Sequence, residues 1–216
     1  MSNAPGTSTI NSMADVWEAY RAELDGVEHQ VRQNLDSSVT LVNTVAAHIL
    51  SSGGKRVRPL LLLLSARLCG YAGREHHQLG SLVEFIHTAT LLHDDVVDEA
   101  DIRRGRTTAR KVWGNQISIL VGDYLYSKAM AQIVEFRNHG MNEVLAETCT
   151  KMAEGEVLQL YYNGNPSMPE SDYIKIVEHK TAGLIAAACR MGVILAEASE
   201  EKQSALFRFG QYQIGR

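Results

Sequence analysis

Leu91-Leu92-His93-Asp94-Asp95-Val96-Val97-Asp98-Glu99, followed by Arg103-Arg104-Gly105, sets three aspartates at helical spacing beside a pair of guanidinium groups. Residues four apart on a helix are surface neighbours, so Asp94 and Asp98 project from one face while Asp95 sits about 100° around the axis. No lysine stands at a favourable local spacing to pair these carboxylates. Leu91, Leu92, Val96 and Val97 around them are apolar, which places the cluster at the edge of a core. Unpaired negative charge there is costly. A hard divalent cation relieves it, and magnesium in particular is held by one or two carboxylates, with phosphate oxygens and water completing its shell. Arg103 and Arg104 add fork-shaped donors that match phosphate oxygens. Taken alone, the aspartates could equally be an acidic turn on a solvated helix face.

Their neighbours bear on that choice. Glu84, His87, Leu91, Asp94 and Asp98 recur at steps of three and four along one mixed stripe, while Ala89, Leu92 and Val96 occupy an adjacent apolar face. A purely structural helix makes its inward stripe apolar. The polar stripe therefore predicts a cavity lining.

Upstream, Gly53-Gly54-Lys55-Arg56-Val57-Arg58-Pro59 offers three cations within four residues, beside the helix N-terminus that Pro59 opens. Such a terminus attracts anions by itself. The structural reading is a glycine C-cap, a first-turn proline and a solvated basic turn. A nucleotide-binding loop is disfavoured, because spaced glycines, a Ser or Thr after the lysine and a preceding strand are all missing. The chain thus presents two separate anion-binding groups, one metal-based and one made of side-chain cations. Two diphosphates handled differently account for both: one bridged by magnesium as a leaving group, the other held electrostatically and retained.

The 216 residues are enough for one substantial core, so a single domain over 1–216 is expected, with residues 1–10 lacking order. A net charge of -4 argues against a general nucleic-acid binder. Cys69, Cys149 and Cys189 lack metal-type spacing and read as buried thiols in a reducing compartment. Met1 to Ser8 shows no signal-peptide pattern, and the Leu60 to Leu64 run is too short to span a bilayer, so a cytoplasmic protein without an integral membrane segment is expected.

Helical period runs through Val16 to Val31, Val39 to Leu50, Leu60 to Leu68, Leu79 to Val97, Ile117 to Phe136, Val144 to Tyr162, Tyr173 to Ile194 and from Lys202 onward, and no segment alternates as a strand. Gly53-Gly54, Gly70, Gly73, Gly140 and Asn163-Gly164-Asn165-Pro166 supply the breaks. Long helices with short loops predict an all-α antiparallel bundle.

With these motifs assembled, the chain resembles the trans-isoprenyl diphosphate synthases. The likeness rests on Gly54-Lys55-Arg56-Val57-Arg58-Pro59, Glu84-Phe85-Ile86-His87, Leu91 to Asp98 and Arg103-Arg104-Gly105. It continues through Gly114-Asn115, Gly122-Asp123, Glu154-Gly155-Glu156-Val157-Leu158-Gln159 and Lys180-Thr181, from about Ser38 to the last residue. It is strongest toward the long-chain, octaprenyl-type polyprenyl synthases that make quinone side chains. The resemblance implies an isoprenoid synthase-type bundle around a central cavity, in a homodimer, that condenses isopentenyl diphosphate with an allylic diphosphate such as farnesyl diphosphate. It implies Asp94 and Asp98 as Mg2+ ligands with Asp95 in support. Lys55, Arg56, Arg58, His87 and Arg104 would hold isopentenyl diphosphate; Arg103, Lys180 and Thr181 would contact the allylic diphosphate, and Gln159 would face the cavity. Ala89 matches the position five before the first aspartate, where a bulky residue acts as a floor, so its small side chain implies a medium or long product.

The second aspartate-rich segment of the family is not among these 216 residues, and Phe209 to Arg216 resemble the run that leads into it. The expectation is a synthase fragment whose C-terminal helices are missing, with apolar surface exposed by their absence. Two other readings stand beside it: a class I terpene cyclase, which binds one diphosphate and needs no Lys55 to Arg58 group, and a non-catalytic partner subunit.

Overall fold

The computed structural model describes residues 11–51 and 53–212, so the expectation of disorder over residues 1–10 falls outside it. The described chain is a helical bundle. Helices α1 (Met13–Ala19), α2 (Arg21–Asn34), α3 (Thr40–Leu50), α4 (Val57–Leu68) and α5 (Glu75–Val97) precede a small hairpin, β1 (Ile102–Arg103) and β2 (Arg106–Thr107). Helices α6 (Ala109–Trp113), α7 (Asn115–Glu135), α8 (His139–Tyr161), α9 (Glu170–Val177), α10 (Gly183–Leu195) and α11 (Glu200–Tyr212) follow, with a π-helical turn at Glu178–Ala182 between α9 and α10.

Helix α5 is the axis of the bundle. Leu79, Leu82, Val83, Phe85, Ile86, Ala89 and Leu92 are fully buried on it, and α2, α4, α7 and α10 pack around it. A helix enclosed on nearly every side carries apolar residues nearly all round. The two carboxylates that it nevertheless buries, Glu84 and Asp95, each have a cationic partner from outside the helix, Arg56 and Arg103.

Among the described residues the helical expectations hold at every segment, with four differences in detail. The first segment breaks at Tyr20, so α1 is a separate helix of about two turns opened by a Ser12–Asp15 capping box. The hairpin was not anticipated. Its register pairs Arg103 with Arg106, leaving Arg104-Gly105 as a two-residue loop with positive φ at both positions (50° and 76°). That is the turn form that suits the twist of paired strands, but Arg at its first position hides the signal that Asn or Asp would give. Gly140 does not follow a helix; it lies in the first turn of α8, and Arg137 takes the left-handed position after α7. Finally, the Tyr173 to Ile194 segment is interrupted by the π-helical turn, which inward packing hides from a period count.

Cys149 and Cys189 are buried, whereas Cys69 is partly exposed. Among the described residues, no helix is long and apolar enough to cross a membrane.

Candidate active site

The loop before α4 and the middle of α5 enclose a cavity of 610 Å³. Gly53, Gly54, Lys55, Arg58, Arg104 and His87 contribute to its walls. Three cations in one short stretch divide here by partner. Arg56 donates to Glu84 Oε2 at 2.5 Å, to Glu28 and to the Leu50 carbonyl at 3.2 Å, so its charge is consumed by the fold. Arg58 has no such commitment: its buried Nε lacks a hydrogen-bond partner. Lys55 carries its side chain at the exposed rim, and its carbonyl accepts from Trp17 Nε1 at 2.7 Å. Arg104 reaches across from the hairpin to the Gly53 carbonyl and lines the same cavity.

His87 stands among these cations. Burial, with Arg58, Arg104, Arg56 and Arg103 added, pushes its pKa down to about 3, so the ring is neutral at physiological pH. A buried surplus of positive charge is what an oligophosphate anion would relieve.

A second cavity, of 430 Å³, shares Arg58, His87 and Leu91 with the first. Its polar end is made by Asp94, Asp123, Glu156, Lys180 and Thr181; its other end is lined by Thr90, Tyr126, Cys149, Met152 and Ala153. Lys180 Nζ lies 2.7 Å from Glu156 Oε1 and 3.9 Å from Asp94 Oδ2. Burial and the Glu156 charge push the Asp94 carboxyl up to about 6, against the pull of Lys180 and Arg103, and Asp98 adds to the rise. Hard oxygen donors whose mutual repulsion one lysine does not relieve fit a divalent cation.

Lys180 and Thr181 owe their position to the π-helical turn, which packs on α8 at Gly155. A Cβ on that glycine would come within 2.8 Å of His179 Cβ and 3.1 Å of the Lys180 nitrogen.

The remaining residues fall in different places. Asp98 is the exposed C-cap of α5, one turn beyond Asp94. Asp95, about 100° around the helix, turns away from both cavities. It is 1% exposed, and its Oδ1 accepts from Arg103 Nε at 2.7 Å, so this pair anchors the hairpin to α5. Arg103 and Asp95 line a separate small recess with Thr107 and Thr108. Gln159 is partly buried on α8 and lines neither main cavity. Ala89 is wholly buried in the core, and the next residue, Thr90, lines the second cavity.

Sequence reasoning does not single out Glu156, although it is the nearer partner of Lys180 and its charge raises the Asp94 pKa. A glycine inside a helical period, flanked by two glutamates in Glu154-Gly155-Glu156, was the available signal. Glu28, the second partner of Arg56, had no local signal, because its contact spans two helices.

The family assignment follows from comparison with known proteins. The chain belongs to the polyprenyl synthetase family, whose model matches residues 39–215. It is 43% identical over 190 residues to octaprenyl diphosphate synthase of Escherichia coli (strain K12), an alignment that covers 88% of this chain and 59% of that protein. To octaprenyl diphosphate synthase of Haemophilus influenzae it is 37% identical over 203 residues, covering 94% and 62%. Among solved structures, a decaprenyl diphosphate synthase from Rhodobacter capsulatus superposes with a TM-score of 0.89 at 42% identity, over 92% of this chain and 61% of that one. A polyprenyl synthase from Caulobacter crescentus CB15, complexed with calcium and isoprenyl diphosphate, gives 0.90 at 38% identity, over 93% and 61%. The chain therefore spans 59–62% of the length of these relatives.

Proposed function

We propose that the site serves prenyl transfer: Mg2+-dependent, head-to-tail condensation of isopentenyl diphosphate with an allylic diphosphate such as farnesyl diphosphate. The product is a medium or long all-trans polyprenyl diphosphate for isoprenoid quinone biosynthesis, made in the cytoplasm by a homodimer. The observation that carries this reading is the shared wall. A cationic cavity and a carboxylate cavity meet at Arg58, His87 and Leu91, so two diphosphate esters bound in them would bring their hydrocarbon ends together.

In this reading Asp94 and Asp98 hold Mg2+, with Glu156 beside them, and Asp95 and Arg103 support that end of α5. Bound Mg2+ supplies Lewis-acid neutralisation of the leaving diphosphate. Lys180 and Thr181 orient the allylic diphosphate, with Arg103 behind them. Lys55, Arg58, Arg104 and neutral His87 hold isopentenyl diphosphate, and Arg56 keeps their loop in place through Glu28 and Glu84. Gln159 belongs to the α8 surface near the growing chain. The allylic carbon–oxygen bond breaks with its electron pair leaving on diphosphate. The isopentenyl double bond then attacks the cation, and the proton lost in forming the new double bond goes to the released diphosphate. Leu91, Tyr126 and Met152 keep water from the cation.

A class I cyclase would have no use for the first cavity, where the buried Arg58 Nε is left without a hydrogen-bond partner. The deciding experiment incubates the protein with Mg2+, farnesyl diphosphate and labelled isopentenyl diphosphate, alone and with a full-length synthase. Label is expected in an extended polyprenyl product and is expected to be lost in Asp94→Ala and Arg58→Ala. Binding of both diphosphates without incorporation by the chain alone, together with a changed yield or product length when it is added to the full-length synthase, would instead establish a non-catalytic subunit.

A further inference from the structure

A third group of chemistry-bearing side chains lies at the opposite end of α5 from the aspartates. His76 and His77 occupy its first turn, and about 27 Å of helix axis separates them from Asp94 at ~1.5 Å per residue. Glu23 reaches them from α2. Its Oε2 is 2.8 Å from His76 Nε2 and 2.6 Å from His77 Nε2, and the three ligand atoms all lie within 4.8 Å of one another. Nothing in the prenyl-transfer reading uses them.

We propose that Glu23, His76 and His77 form a transition-metal site of the Zn2+ class that clamps α2 to the start of α5. Two imidazole nitrogens and one carboxylate oxygen, with a further position open to water, form a recurrent ligand set for such ions. Four features of the structure support it. His76 is wholly buried with its Nε2 directed at the Glu23 carboxylate, so the ring is fixed facing the cluster. Arg67 donates to the other Glu23 oxygen at 2.6 Å while holding the Tyr71 carbonyl at 2.7 Å, which fixes the carboxylate plane as an outer-shell partner does. The His77 and Glu23 side chains are 18% and 26% exposed, leaving an entry path for an ion. Gly26, one turn beyond Glu23 in the interior of α2, provides the space: a Cβ there would stand 2.7 Å from the His77 ring. Glycine inside a helix costs roughly 1 kcal/mol relative to alanine, so the vacancy that seats this ring is maintained against helix propensity.

The test titrates ZnCl2 into the protein in excess Mg2+, comparing wild type with His77→Gln, which retains a hydrogen-bond donor toward Glu23. Wild type is expected to take up one more Zn2+ per chain than the variant, or to bind that ion more than about tenfold more tightly, since even supporting groups are worth ~10–100-fold. Zn2+ should also raise the thermal midpoint of wild type more than that of His77→Gln. Equal uptake by both proteins, or none by wild type, overturns the site. Should His77→Gln fail to fold, Co2+ decides on wild type alone. Visible ligand-field bands without a thiolate charge-transfer band support the histidine–carboxylate set; a thiolate band, or no visible bands, overturns it. None of these readouts depends on prenyl transfer.

Discussion

The ammonium of Lys180 lies 2.7 Å from Glu156 Oε1, and that pairing adds to the burial that keeps Asp94 underneutralised. Lys180 is 3.9 Å from Asp94 Oδ2, so it favours the glutamate while Glu156 itself raises the Asp94 pKa. Glu156→Gln removes that repulsion and frees the lysine to approach Asp94. Both changes favour the Asp94 carboxylate, so its proton is expected to be lost at a lower pH than about 6. Carboxyl-carbon NMR titration of the two proteins reads this directly. An unmoved Asp94 titration would show that burial alone sets its value.

Gly155→Ala tests how the π-helical turn is held. The added methyl would meet His179 Cβ at 2.8 Å and the Lys180 backbone at 3.1 Å, and backbone cannot swing aside as a side-chain tip can. Overpacking of this kind costs about 1–3 kcal/mol, against up to ~1 kcal/mol gained from replacing a helical glycine. The variant is therefore expected to unfold at lower urea. A midpoint above wild type would mean that α8 and the turn are not packed as described.

Arg56 and Arg58 separate stability from ligand binding. Glu84 is only 3% exposed and burial raises its pKa, so Arg56→Gln leaves a buried acid without its principal partner. Loss of one member of a buried pair costs about 3–5 kcal/mol. Arg58→Gln removes a guanidinium whose Nε has no partner, so its main effect should be on diphosphate affinity rather than on the unfolding midpoint. Chemical denaturation and calorimetric binding of isopentenyl diphosphate, run on both variants, distinguish the roles. Similar stability losses in the two would contradict the division.

That division also marks where sequence reading stops. Periodicity marks α5, and the stripe from Glu84 to Asp98 and the Lys55 to Arg58 run are legible because they are local patterns. It could not rank Arg56 against Arg58, since the deciding acids come from α2 and α5. Asp95 posed the same difficulty. Its offset of about 100° showed that it leaves the face of Asp94, but only the hairpin, whose Arg-Gly turn gives a weak signal, reveals that Arg103 is its partner. Glu156 and Lys180 meet across 24 residues, and no spacing rule spans that distance.

His87 gives a prediction in pH. Its folded pKa, about 3, lies below its ordinary value of 6.5. Between those values the unfolded chain binds a proton that the folded chain refuses, so this residue makes stability fall as pH drops from about 6.5 toward 3. His87→Gln keeps a polar, uncharged side chain and removes the titration. The thermal midpoint of the variant should decline less steeply with acid than that of wild type, as measured by calorimetry at a series of pH values. Parallel declines would place the His87 proton outside the cation cluster.

The last prediction concerns the apolar end of the second cavity. Thr90 lines it, with its hydroxyl spent on the His87 carbonyl at 2.8 Å, whereas Ala89 is sealed in the core beside Leu92 and Phe85. Phenylalanine at position 90 should project into the space that a growing hydrocarbon would occupy. Phenylalanine at 89 must first displace core side chains, at about 1–3 kcal/mol. Thr90→Phe is therefore expected to shorten the polyprenyl products, or to weaken binding of long allylic diphosphates relative to short ones, with little change in the unfolding midpoint. Ala89→Phe is expected to lower the midpoint, and any shortening of product should appear together with that loss. Product chromatography alongside denaturation separates the two positions. Shorter products from Ala89→Phe at undiminished stability would assign the floor to position 89 and remove position 90 from that role.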